Sequence, residues 1–361
     1  MPALDIRRQA TPLPEGTAAC LGAFDGLHRG HQALLAQARA LGGRVALVTF
    51  EPHPQRVLAP DRAPPLLLGA AQRERLAATL GVDTLVLLPF DAAMAQMDAR
   101  TFVRTQLLEG LRPAAVIVGA DFRFGAQRLG DVALLGDALA AAGVTLHVVP
   151  PVPAPPDVAA GPASANATEH DNPIRNNQIG NQISNQISNQ VSNQVSNQVS
   201  KKISSSTIRD ALARGEVGYA AQLLGRPHAV VGEVVHGAKR GRTIGIPTAN
   251  LRCGDALLPR PGIYAVRVSA WDPAALPELA APHDAVASLG TNPTFTGTGA
   301  PLVLEAHVLD RDLGERLYGH MLQLEFVARL RDEQRYTTVE ALVAQIHDDI
   351  AHARRELART P

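Results

Sequence analysis

The sequence predicts an α/β protein in two parts: a parallel sheet covered by helices, then a small antiparallel β-barrel with a terminal helix. Three observations predict it. Between residues 17 and 149 short apolar runs alternate with stretches of helical period, a pattern that builds a parallel sheet with helices on both faces. Beyond Gly225-Arg226-Pro227 strand signals follow one another between glycine and proline turns, as in a barrel or sandwich. The chain closes on 339–357, where Val339, Leu342, Val343, Ile346 and Ile350 recur at helical spacing and form a packed cover.

Residues 17–21 read as a short buried strand, and from Gln32 onward Leu34, Leu35, Ala38 and Leu41 recur with helical period. Residues 44–50 (RVALVTF) form the next strand, which runs into Glu51-Pro52-His53-Pro54, where the prolines enforce an extended exit. A helix over 70–80 closes at Gly81, and 84–88 is strand again. Asp98 caps a helix through Leu108 with Gly110 at its end. Residues 114–118 are strand, 131–142 helix stopped by Gly143, and 144–149 strand. A short helix over 216–224 precedes the boundary, and strands then fall at 228–235, 263–269, 285–289, 303–309 and 323–330.

At 361 residues the chain is long enough for two cores, and 46% hydrophobic with 19% charged residues is a globular balance. Lys+Arg 34 against Asp+Glu 34 gives zero formal charge, so nothing in the balance points to a bulk polyanion such as nucleic acid, and none is expected as a partner. Aromatics at 4% leave few stacking platforms for single strands. Cys20 and Cys253 lie far apart inside apolar runs and read as reduced core thiols. MPALDIRRQA has no apolar signal core, and no long uninterrupted apolar run occurs, so a cytoplasmic chain without membrane partners is expected, as a monomer or weak homo-oligomer.

The stretch with chemical content is LGAFDGLHRGH (21–31), where an apolar run gives way to a glycine-punctuated turn and then to a helix. Gly22, Gly26 and Gly30 allow sharp turns and close approach of a phosphate, and the new helix offers free N–H groups and a favourable dipole. His28 and His31, at i and i+3, share a helix face and can donate to phosphate oxygens as charge builds in a displacement at phosphorus. Nucleotidyl transfer is the chemistry implied. These residues resemble the H-x-G-H nucleotidylyltransferases, a Rossmann-like superfamily, and GAFDGLHRGH looks most like the adenylyltransferase half of bacterial bifunctional riboflavin kinase/FAD synthetases. The resemblance implies a nucleotide site on Gly22, Phe24, Asp25 and Gly26, with His28 and His31 catalytic.

Three more stretches fall at the same sheet edge and resemble motifs of that half: TFEPHP (49–54), GADFRFG (119–125) and ISSSTIRDAL (203–212). In GADFRFG, Asp121, Phe122 and Phe124 either present a polar group and two rings to a base or flavin, or are a helix-capping carboxylate with core phenylalanines. In ISSSTIRDAL the serines, Ser205 and Ser206 among them, cap a helix whose N-terminus, with Arg209, suits the β,γ-phosphates that leave as pyrophosphate. The family usually carries Thr where Ser206 stands, and the hydroxyl is kept.

From 151 to 202 the pattern collapses into a Pro/Ala-rich run and six tetrads of the type NQIS and NQVS over 177–200. One Ile or Val in four residues cannot build a core, so a disordered linker without catalytic role is expected. In an extended chain all six would share a face, and the Asn/Gln richness suits self-association. The NAT at Asn166 has no glycosylation role in a cytosolic chain.

The second part lacks a Walker order but carries GAKRGRTIGIPTANL (237–251). Gly237, Gly241 and Gly245 let backbone amides reach phosphates, and Thr248 and Asn250 oxygens suit a magnesium ion bridging them. With PRPGIYAVRV, ASLGTNPTF and LEAHVLDRDLGERLYG downstream, 226–336 resembles the riboflavin kinase domain. By that resemblance Thr248 and Asn250 belong to the Mg-ATP site, and Glu305 takes the proton of the ribityl hydroxyl. Strand alternation puts Glu305 beside His307, opposite the apolar face. Family members often have Arg or Lys where Thr291 stands, so no charge is expected there.

The expected division is 1–150 with 203–225 for FMN adenylylation, 151–202 as insertion, and 226–361 for riboflavin phosphorylation. ATP, riboflavin and FMN are the expected small-molecule partners, FAD the product and Mg²⁺ the cofactor. The alternatives are a chain with one active head and a non-catalytic cytosolic flavin-binding protein; a binding module has no need of a carboxylate beside the PTAN loop.

Overall fold

The computed structural model describes residues 3–156, 202–237, 244–291, 302–311 and 313–360. The Asn/Gln tetrads, Gly241 and the stretch 292–295 lie outside the described residues.

Six parallel strands form the first sheet: β1 (Asp5–Arg7), β2 (Ala18–Leu21), β3 (Val45–Glu51), β4 (Thr84–Pro89), β5 (Ala115–Gly119) and β6 (Thr145–Val149), in the order β1-β4-β3-β2-β5-β6. Strand alternation sorts the apolar runs onto two faces. Ala18, Cys20, Leu47, Leu85 and Ile117 pack with α1 (Arg29–Ala40), whereas Ala19, Leu21, Val48, Leu88 and Val118 pack with Phe102, Leu107, Leu135 and Leu139 on the other side. The chain leaves β2 toward β3 in one direction and later toward β5 in the other, so the strand order reverses beside β2. Such reversals open a crevice at the carboxyl ends of the strands.

The helix that Asp98 caps runs further than expected. Asp98 Oδ1 accepts from Thr101 N at 3.0 Å, the chain is α-helical over Ala99–Phe102 and widens into a π-helical stretch over Val103–Leu111. Arg112, at φ 50°, ends it, and not Gly110. A Cβ at Gly110 would lie 2.8 Å from Ala10 Cβ, so this glycine serves close packing.

The second part is a closed antiparallel barrel, and not a sandwich. It contains β7 (His228–Val235), β8 (Ala249–Arg252), β9 (Gly262–Ala270), β10 (His283–Thr291), β11 (Leu302–Val308) and β12 (Met321–Arg331), ordered β10-β11-β8-β7-β12-β9. Its interior takes Val230, Val234, Leu251, Tyr264, Val266, Leu304, Leu322 and Phe326. The terminal helix, Val339–Arg359, covers it through Ala353 and Leu357 against Ala265 and Val327.

After α2 (Pro54–Leu58), α3 (Ala70–Thr79), α4 (Ala92–Gln96), α5 (Ala99–Phe102) and α6 (Val132–Ala141) of the sheet part, two helices join the parts: α7 (Ser205–Arg214) and α8 (Val217–Leu224). Their Ile208, Leu212, Leu223 and Leu224 belong to one buried cluster with the barrel's Val230 and Val234 and with Leu67 from the sheet side. Arg75 stacks on the Trp271 ring at 3.5 Å and donates to the Trp271 carbonyl at 2.7 Å, and Gln72 donates to the Ala229 carbonyl at 3.0 Å.

Candidate active sites

The turn after β2 lies at the strand-order reversal and lines a cleft of about 830 Å³, within the size range of small-molecule sites. His28 is the N-cap of α1, one step outside the helix, and its Nδ1 accepts from His31 N at 3.4 Å. The two rings stack, with centroids 3.6 Å apart and planes 15° from parallel. Gly30 makes room for this: a Cβ there would meet His28 Nδ1 at 3.1 Å. Phe24, fully buried, sets its ring edge-on to His31 at 5.0 Å and so supports the imidazoles. Gly26, at φ 90°, takes the left-handed turn, while Phe24 and Leu27 hold φ 47° and 42° without being glycine. Backbone strain of this kind persists only where the surroundings over-determine it.

Burial holds the His28 imidazole down to about 4, with the Arg226 guanidinium acting in the same direction. Burial first, and then His28 beside it, holds His31 well below the ordinary histidine range. Both rings are therefore neutral near pH 7. Since His28 Nδ1 accepts a bond, its proton sits on Nε2 and is available to a ligand. His31 Nδ1 is buried without a hydrogen-bond partner among the described residues, a polar atom that a ligand would satisfy.

The serine motif reaches the same cleft. Ser204 caps α7 by accepting from Thr207 N at 3.2 Å, so a second helix N-terminus lies on the cleft beside that of α1. Ser205 donates to the Asp25 carbonyl at 2.8 Å, and Ser206 stands exposed on the cleft. Arg209 is already engaged: its guanidinium pairs with the buried Asp25 carboxylate, and Nε donates to the Pro65 carbonyl at 2.9 Å. Burial raises the Asp25 carboxyl, opposed by Arg209 and by the amides of Leu67 and Leu68. Asp25 and Arg209 thus brace the turn and present the cleft wall as a paired unit.

Asp121 does not cap a helix; Asp131 does that for the following one. Asp121 pairs with the Lys202 ammonium, which lowers its carboxyl below the usual range. Phe124 is a core residue against Phe102, with centroids 5.7 Å apart, while Phe122 is half-buried and lines the cleft. His53, within the TFEPHP motif, also lines the cleft, and only its place in the fold marks it as a site residue. Lys202 and Arg226 carry no sequence signal of their own.

In the barrel, β8 and β11 pair so that Asn250 lies directly opposite Glu305. Thr248 Oγ1 lies 3.4 Å from Glu305 Oε2, and His307 Nδ1 donates to the Pro247 carbonyl at 2.7 Å. Glu305 and His307 are half-exposed between the buried Leu304, Ala306 and Val308. Gly237 lies against them: a Cβ there would fall 2.3 Å from Asn250 Nδ2 and push that amide aside. Gly245, at φ 76°, faces open space. Hydroxyl, amide and carboxylate oxygens suit a hard divalent cation held together with substrate phosphates. Among the described residues no cluster of three His, Cys, Asp or Glu forms a separate metal cage.

Residues 10–157 match the family model described as FAD synthetase, and 224–357 match riboflavin kinase. A bifunctional riboflavin kinase/FMN adenylyltransferase of Escherichia coli (strain K12) is 34% identical over 344 residues, covering 94% of this chain and 92% of that one. The protein of the same name from Pseudomonas fluorescens is 33% identical over 347 residues, covering 95% and 94%. A crystal structure from Streptococcus pneumoniae, named a macrolide-efflux protein, aligns with TM-score 0.74 at 27% identity over 98% of this chain and 99% of that chain. Among the described residues no helix is long and apolar enough to cross a membrane.

Proposed function

The chain belongs to the family of bifunctional riboflavin kinase/FMN adenylyltransferases, and from that premise we propose that the sheet-edge cleft adenylylates FMN while the outer face of β8 and β11 phosphorylates riboflavin. Residues 1–150 with 203–225 would carry the first reaction and 226–361 the second. The observation that carries the assignment is the convergence of two stacked neutral histidines and two helix N-termini on one cleft, apart from the Thr248–Asn250–Glu305 group.

In adenylyl transfer an oxygen of the FMN phosphate attacks the α-phosphorus of ATP, and the bond to the β-phosphate breaks to release pyrophosphate. His28 Nε2–H and the amides at the start of α1 donate to the oxygens on which charge accumulates. The α7 N-terminus, with Ser205 and Ser206, receives the departing pyrophosphate. Arg209 and Asp25 keep the turn in place, and the half-buried Phe122 lies where a flavin or base ring can pack.

In the kinase reaction Glu305 accepts the proton of the terminal ribityl hydroxyl as that oxygen attacks the γ-phosphorus, giving FMN and ADP. Thr248 and Asn250 would hold magnesium, which neutralises phosphate charge when bound. Gly237 keeps the Asn250 amide in place, and His307 ties down the PTAN segment through Pro247.

Incubation with riboflavin, ATP and Mg²⁺, followed by chromatography of the flavin, tests this reading. Riboflavin should pass through FMN to FAD. Accumulation of FMN alone means that only the kinase head is active, and unchanged riboflavin overturns the kinase assignment.

A further inference from the structure

The turn that carries His28 is gripped by side chains from four separate segments. Carbonyls of Ala23, Asp25, Gly26 and Leu27 accept from Thr49 Oγ1 at 3.0 Å, Ser205 Oγ at 2.8 Å, Arg226 Nη2 at 2.8 Å and Gln32 Nε2 at 2.9 Å. In a planar peptide the following N–H points away from the oxygen, so each grip also aims an amide. Three of these donors belong to the sheet part or to α7, but Arg226 belongs to the entry of the barrel. Its Nη1 donates to the Leu224 carbonyl at 3.4 Å, and that carbonyl also accepts from Gln32 at 2.8 Å. Burial lowers the Arg226 guanidinium to about 10, with Glu325 on β12 opposing that shift, so it remains a cation at neutral pH.

We propose that Arg226, from the kinase side of the chain, is a positioning residue for adenylyl transfer, fixing the Gly26–His28 backbone and placing a permanent cation behind His28. The inference rests on the cleft being the adenylyl site. Gly26 O lies between the left-handed Phe24 and Leu27, where the strained turn most needs a fixed point. The titratable groups around His28 are His31 stacked on it, Arg226 on the turn and, around the cleft, His53, Arg128, the Asp25–Arg209 pair, the Asp121–Lys202 pair and Arg123, which pairs with Asp131. Of these, Arg226 is the cation that lowers His28.

The test uses the full chain carrying Arg226→Met. FAD formation from supplied FMN should fall about tenfold to a hundredfold in kcat with little change in KM, as expected of a misplaced reacting group. Riboflavin phosphorylation should be unchanged. The acid limb of the adenylylation profile should move to higher pH, because loss of the cation lets His28 protonate earlier. Arg226→Lys, which keeps the charge, should leave the acid limb in place and recover part of kcat. If Arg226→Met loses both activities, Arg226→Gln decides: a raised acid limb with kinase rate intact upholds the proposal, and an unmoved limb or equal loss of both activities overturns it. His28→Ala separates the two levels. Full FAD formation in that variant sinks the site assignment itself, whereas an inactive His28→Ala beside a fully active Arg226→Met sinks only the role of Arg226.

Discussion

The imidazoles of His28 and His31 lie face to face at 3.6 Å because one caps the helix and the other lies in its first turn. Stacked cations would repel, so the pair is built to be neutral and to donate. His28→Ala removes a donor at the phosphorus centre and should lower FAD formation by about a hundredfold or more, while FMN formation from riboflavin continues. Parallel assays on one preparation check this; loss of both activities in a folded protein would show that the cleft is not confined to adenylyl transfer.

Glu305 faces Asn250 across the strand pair and lies 3.4 Å from the Thr248 hydroxyl. Glu305→Gln keeps the size and removes the base, so riboflavin phosphorylation should fall by about two to four orders of magnitude. FAD formation from supplied FMN should be unaffected. If Glu305→Gln phosphorylates riboflavin at the native rate, the proton goes elsewhere.

Much of this architecture was legible because it follows from period. The alternation in Ala18-Ala19-Cys20-Leu21 sends successive side chains to opposite sheet faces, and the run from His228 to Val235 alternates buried and half-buried residues. The three-residue β1 lacks that signal, and in β8 the alternation of Ala249-Asn250-Leu251-Arg252 spans only four residues at the end of a glycine-rich basic stretch. The π-helical widening after Phe102 left no mark that distinguishes it from an α-helix. At the site, HRGH announced the imidazoles, but their stacking depends on His28 standing at the cap. The grips of Thr49, Gln32 and Arg226 on the turn were invisible, because a bond from a side chain to a distant carbonyl requires no motif.

Acid should destabilise this fold through its buried histidines. His228, held down to about 4 by burial against an opposing bond to the Leu257 carbonyl, has a folded value below the unfolded 6.5, as His28 does. Between those limits the unfolded chain binds more protons, so the stability each contributes is present above about 6.5 and is lost as pH falls through 4. The gap is worth about 3 kcal/mol per group. The raised Asp25 has the opposite sign and offsets part of this. The melting temperature should drop steadily from pH 7 to pH 4.5, and His228→Asn should flatten the slope; a melting temperature constant over that range contradicts the account.

The insertion is tied off at its neck. Ile203 N donates to the Val152 carbonyl at 2.9 Å, and Pro153 bridges Lys202 in antiparallel sense. Val152 and Ala154 pack on the buried cluster shared by α7, α8 and the barrel, and Tyr219 donates to the Pro155 carbonyl at 3.2 Å. The serine motif that caps α7 therefore hangs from the pairing of 152–153 with 202–203. Replacing 157–201 by a short flexible linker leaves every one of these contacts in place and needs only a reverse turn between paired residues. Both activities should survive that deletion unchanged, with a melting temperature no lower than that of the full chain. Selective loss of FAD formation would show instead that residues 157–201 reach into the cleft, because the α7 N-terminus and Lys202 lie at its rim while the Glu305 group lies on the barrel.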